Sequence, residues 1–86
     1  NYSDLNRVER AVEEISDAEG LGLITRTNWA MWDLPTVSEM ERYLSNIRAV
    51  RTFIGSDIPL PSSMDNLDYE GANNIEKILL AASELI

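Results

Sequence analysis

Three stretches of this sequence repeat apolar residues at intervals of three and four, and glycine or proline cuts each one off before the next begins. A spacing near 3.6 residues gives a helix one apolar face, and three such helices hide those faces by packing on one another. In the first stretch Leu5, Val8, Val12 and Ile15 form the stripe, with Ser3 as the expected N-cap, Asp4 in the first turn, and Gly20 and Gly22 as the stop. In the second, Thr36 and Glu39 have the T-x-x-E spacing of a capping box; Val37, Met40, Leu44, Ile47, Val50 and Ile54 follow, and Gly55 ends it. In the third, Asp68 is the expected N-cap, and Tyr69, Ala72, Ile75, Ile78, Leu79, Ala82 and Leu85 or Ile86 make a broad face. The spacing predicts helices near residues 4–18, 37–54 and 69–85. The expected fold class is all-α: one domain over residues 1–86, a three-helix bundle with Trp29, Leu44, Ile47, Ile75 and Leu79 buried together.

Two connectors join these helices. Residues 21–35 carry Leu21, Leu23 and Ile24, extended character at Thr25–Thr27, and a helical turn at Asn28–Trp32 before Pro35. A structureless loop of this length is uncommon in a compact domain, so its apolar residues are expected to pack, making it an ordered aromatic connector between helices 1 and 2. Trp29 is expected to plug one end of the bundle, because large aromatics dominate small cores. Trp32, three residues on, is the candidate partner contact, since aromatic residues are enriched where binding energy concentrates. The second connector, residues 55–67, is stiffened by Pro59 and Pro61, with one short helical turn expected within 62–67.

Composition removes most chemistry. The chain has no Cys and no His, which excludes disulfides, thiolate metal sites, and Ser-His-Asp or Cys-His catalysis. No glycine-rich phosphate loop is present. Read as a calcium loop from Asp65, the third, fifth and sixth positions are Leu67, Tyr69 and Glu70, so the ligand pattern fails. No catalytic, cofactor-binding or metal residue is expected, and no cofactor. Net charge is −8: residues 1–20 hold six acids and two bases, 21–60 four of each, and 61–86 five acids and one Lys. Phosphate backbones and anionic membranes attract the opposite sign, so neither nucleic acid nor membrane is expected as a partner. Arg42, Arg48 and Arg51 are the one basic concentration; pairing with Glu39, Glu41 or other acidic neighbours is their expected use. Protein is the remaining partner class, either a neighbouring subunit or another domain of a parent chain. A start at Asn1 rather than Met makes a fragment of a larger protein the expectation.

Two segments share the form N-x-[V/I]-E-[R/K]: Asn6–Arg10 and Asn73–Lys77. Early in a helix, Asn can hydrogen-bond nearby loop backbone, so Asn6 and Asn73 are both expected to be buried and to tie down a loop. Asp4–Glu9 (DLNRVE), then Thr27–Met31 (TNWAM) with Asp33 and Pro35–Ser38 (PTVS), then Leu60-Pro61, and Leu67–Leu79 (LDYEGANNIEKIL) resemble, in order and spacing, a helical module of tail-related structural proteins of phages and prophages of Firmicutes. The likeness covers nearly the whole chain. It departs at Trp32, where a polar residue is usual, and at Gly71, where a better helix former is usual. The resemblance implies a non-enzymatic structural or adaptor module of a phage or prophage particle, located in a virion or a bacterial cytoplasm. The alternative reading is a regulatory helical protein-interaction domain of a bacterial protein.

Overall fold

A computed structural model describes residues 2–85. Helix α1 runs Tyr2–Glu19, α2 Val37–Ile54 and α3 Tyr69–Ser83, with a single 3-10 turn at Met64–Asn66. Each helix packs on the other two, so the fold is the expected three-helix bundle, without a strand among the described residues. Ile86 lies outside those residues.

Local rules explain most boundaries. Thr36 accepts from the Glu39 N–H while the Glu39 carboxylate accepts from the Thr36 N–H, completing the capping box of α2. At the other end Gly55 takes a φ of 70°, and its N–H and that of Ser56 return to carbonyls of the last turn. Asp68 caps α3 by accepting from the Gly71 N–H at 2.7 Å. Ser3 is not a cap: α1 already includes it.

The core joins Val8, Val12 and Ile15 of α1 to Tyr43, Ile47 and Val50 of α2 and Ile75, Ile78, Leu79 and Ala82 of α3. Trp29 and Leu44 are also buried, but outside that cluster: Trp29 projects inward from the first connector, and Leu44 faces the Met64–Asn66 turn from α2. Two expected faces are corrected. Val37 is exposed, because it precedes the point where α2 enters the bundle. In α3 the inner face starts at Gly71 and Asn74, leaving Tyr69, Ala72 and Asn73 outside. Ile75 and Ile78 set that phase, and stepping back four residues from each reaches Gly71 and Asn74. Gly71 sits close to its neighbours: a Cβ there would lie 3.1 Å from Asp68 Oδ1 and 3.3 Å from Leu67 Cδ1.

Candidate functional site

The first connector is where polar chemistry gathers, and α1 explains why. Its apolar stripe includes two polar positions, Glu9 and Ser16, each one residue after a core residue and equally buried. A buried carboxylate is tolerable when its oxygens are hydrogen-bonded and its charge is paired. Glu9 Oε1 accepts from Arg42 Nη1 at 2.6 Å and from the Arg26 N–H at 3.0 Å. Glu9 Oε2 accepts from Trp29 Nε1 at 2.7 Å and from Arg42 Nη2 at 2.9 Å. Burial pushes the Glu9 carboxyl up, but the hydrogen bonds from Arg42, Trp29 and the Arg26 backbone outweigh it and hold the group below the usual carboxylate range. The hydrogen bond to Glu9 correspondingly raises Arg42.

Further side chains stitch the connector backbone. Asn6 closes a two-bond clasp on Trp29: its Nδ2 donates to the Trp29 carbonyl at 2.8 Å, and its Oδ1 accepts from the Trp29 N–H at 2.7 Å. Asn46 Nδ2 and Arg42 Nη1 both donate to the Ile24 carbonyl, and Ser16 Oγ accepts from the Leu23 N–H. Arg26 lies over the Trp29 ring, 3.9 Å from its centroid, and its guanidinium bonds Glu39 and Asp33, each at 2.8 Å. Asp33 also accepts from the Ala30 N–H, and the Asp33 N–H closes a tight turn on the Ala30 carbonyl. That turn replaces the helical turn expected at Asn28–Trp32. Among the described residues, no buried side-chain polar atom lacks a partner.

What this scaffold displays is apolar. Trp32 is 85% exposed and Leu34 88%, with Met31 and Val37 also mostly exposed, all within seven residues. Ile24 is exposed as well, so the expectation that all the connector's apolar residues pack is corrected: Leu21, Leu23 and Trp29 turn in, while Ile24, Met31, Trp32 and Leu34 turn out. Carbonyls and amides facing the bundle consume the inner side of the chain and leave these side chains outward. Trp29 and Trp32, three residues apart, thus have opposite surroundings.

The remaining expected site residues are placed as follows. Leu44, Ile47, Ile75 and Leu79 are all buried. Asn73 is exposed, a correction: the inner face of α3 runs through Gly71, Asn74 and Ile75, so its neighbour Asn74 is the buried one, beside the second connector. Glu76, the counterpart of Glu9, instead makes a two-bond pair with Arg7 at the α1–α3 surface, 2.6 and 2.8 Å. The arginines of α2 do not use Glu39 or Glu41. Arg42 crosses to Glu9; Arg48 donates to the Pro61 and Ser62 carbonyls and Arg51 to the Ile58 carbonyl, fastening the second connector. Among the described residues no three His, Cys, Asp or Glu side chains gather as a metal-holding group, and no helix is long and apolar enough to cross a membrane. Comparisons of the chain with protein families, with curated proteins and with solved structures found no match.

Proposed function

We propose that this chain is a non-enzymatic docking module, a structural or adaptor part of a phage or prophage particle, and that its contact with a partner protein runs through Met31, Trp32, Leu34 and Val37. The observation that carries the docking reading is the pairing of two properties in one connector. Its backbone is held by Asn6, Glu9, Ser16, Arg42 and Asn46, and its outer edge exposes large apolar side chains. Exposed apolar side chains lose nothing structurally when removed and gain free energy when covered. A held backbone reduces the ordering cost of binding. The particle setting is supported by the resemblance of the DLNRVE, TNWAM and LDYEGANNIEKIL segments to tail-related proteins.

The test is co-expression with the products of the genes flanking its own. At least one should co-purify with the chain, and a double variant, Trp32→Ser with Leu34→Ser, should lose it while keeping the wild-type melting temperature. Undiminished co-purification by that variant would overturn the assigned surface. The absence of any partner among the neighbouring products would overturn the particle reading.

A further inference from the structure

A second concave surface adjoins that edge. Between the first three turns of α2 and the turn at Met64–Asn66 lies a groove of about 750 Å³. Val37, Met40, Leu44 and Met64 line it. Val37, Met40 and Leu44 are spaced three and four apart, so they form one continuous apolar row on α2. The row borders the main core: Met40 packs against the central cluster, Leu44 is buried outside it, and Val37 is open to solvent. From Val37 to Arg48 the trough spans roughly 16 Å, the rise of about three helical turns.

The charges on its rim are of unequal availability. Of the two arginines that line it, Arg42 is neutralised by Glu9, while Arg48 donates to the Pro61 and Ser62 carbonyls at the far end of the groove and keeps its charge. Glu41 and Asp65 are exposed on opposite walls, with no ion pair or hydrogen bond to another side chain among the described residues. The whole chain adds a net charge of −8. A second copy would bring another −8 to the same place, so self-association is electrostatically opposed.

We propose that this groove takes a basic amphipathic helix of the partner protein, with its apolar face on Val37, Met40 and Met64 above the buried Leu44 and Lys or Arg side chains over Glu41 and Asp65. The inference rests on the docking reading above and adds the chemistry of what is docked. Apolar anchors supply the binding energy and the carboxylates select sign and speed of approach. Through Pro35 and Val37 the groove is continuous with the exposed connector edge, so one partner covers both.

The experiment uses the whole chain, isotopically labelled, titrated with two synthetic 18-residue helical peptides. Both carry the same leucine face; one has lysines on the polar face, the other glutamates. The lysine peptide should shift backbone resonances of Val37, Met40, Leu44 and Met64, and should bind at least about tenfold more tightly than the glutamate peptide, a difference of about 1.4 kcal/mol. Glu41→Lys combined with Asp65→Lys should invert the order. Equal binding of the two peptides, shifts mapping elsewhere, no binding of the lysine peptide, or a preference unchanged in the double variant would each overturn the proposal. So would a dimer in sedimentation whose interface maps to the groove. Loss of a co-purifying partner on substitution of Trp32 and Leu34, together with a failed peptide titration, would leave the docking reading standing and remove this one alone.

Discussion

The starts of α1 and α3 carry nearly the same five letters and do different work. Asn6 clasps the Trp29 peptide and Glu9 is buried against Arg42, Trp29 and Arg26. Asn73 faces solvent, and Glu76 forms a half-exposed pair with Arg7. The helices differ in register by one residue: α1 buries the third and fourth letters of its motif, Val8 and Glu9, whereas α3 buries the second and third, Asn74 and Ile75. A further difference is the connector that crosses each helix. The first connector passes over the start of α1 and presents backbone groups to Asn6 and Glu9, whereas the second connector packs beside Gly71 and Asn74 of α3. A polar side chain early in a helix therefore acquires its role from the segment that crosses it.

The largest expected effect comes from removing the two glutamates in turn. Glu9→Ala leaves the Arg42 charge, the Trp29 indole N–H and the Arg26 N–H without their acceptor in a buried setting, and should destabilise the fold by about 3–5 kcal/mol. Glu76→Ala removes a surface pair, with the partner side chains 56% and 44% exposed, and should cost about 1 kcal/mol or less. Urea denaturation of both variants checks this; equal losses would dissolve the distinction.

Asn6→Ala against Asn73→Ala sharpens it at a smaller scale. The first takes away the side-chain partners of both the Trp29 amide and its carbonyl, for an expected loss of about 1–3 kcal/mol. The second should fall within about 0.5 kcal/mol of wild type. Hydrogen exchange at the Trp29 amide should quicken in the first variant only.

Acid removes part of the same difference. Glu9 holds its proton less readily when folded than when unfolded, relative to an ordinary value of 4.5. The stability it contributes is therefore complete above pH 4.5 and is lost as pH falls from there through the lower folded value. Glu39, lowered by the Arg26 hydrogen bond, acts in the same direction. Wild type should show a steeper fall in melting temperature below pH 4.5 than Glu9→Gln, measured over the same buffers. Parallel profiles would mean that Glu9 titrates as if exposed.

The smallest expected effect belongs to the outer edge. Trp32→Ser should leave stability within about 0.5 kcal/mol of wild type, since its side chain is already in water. A substantial loss would place Trp32 in the packing of the connector and remove it as a contact residue.

Legibility in the sequence follows the distance between partners. The capping box of α2 and the Asp68 cap join residues three apart, and each reads directly from the letters. The Glu9 network joins residues 17, 20 and 33 positions away, and no local pattern announces those partners. A signal was nevertheless present. Glu9 lies four residues after Leu5 and three before Val12, on the apolar stripe itself, as Asn46 lies between Tyr43 and Val50 on the stripe of α2. A charge or amide on a buried face demands partners, and here Arg42, the Trp29 indole and the connector backbone supply them.

By itself the sequence determined the number of helices, their approximate limits, the second and third caps and the greater part of the core, because stripe spacing and capping are set within one or two turns of chain. Tertiary structure alone decided that Trp29 turns in and Trp32 out, that Asn6 is a clasp and Asn73 is not, and that Arg42 serves Glu9 rather than a neighbour on its own helix. Those outcomes depend on where the first connector crosses the bundle. Its path is a compromise among many weak hydrogen bonds to three different helical positions or more, and no single one of them is encoded by adjacent residues.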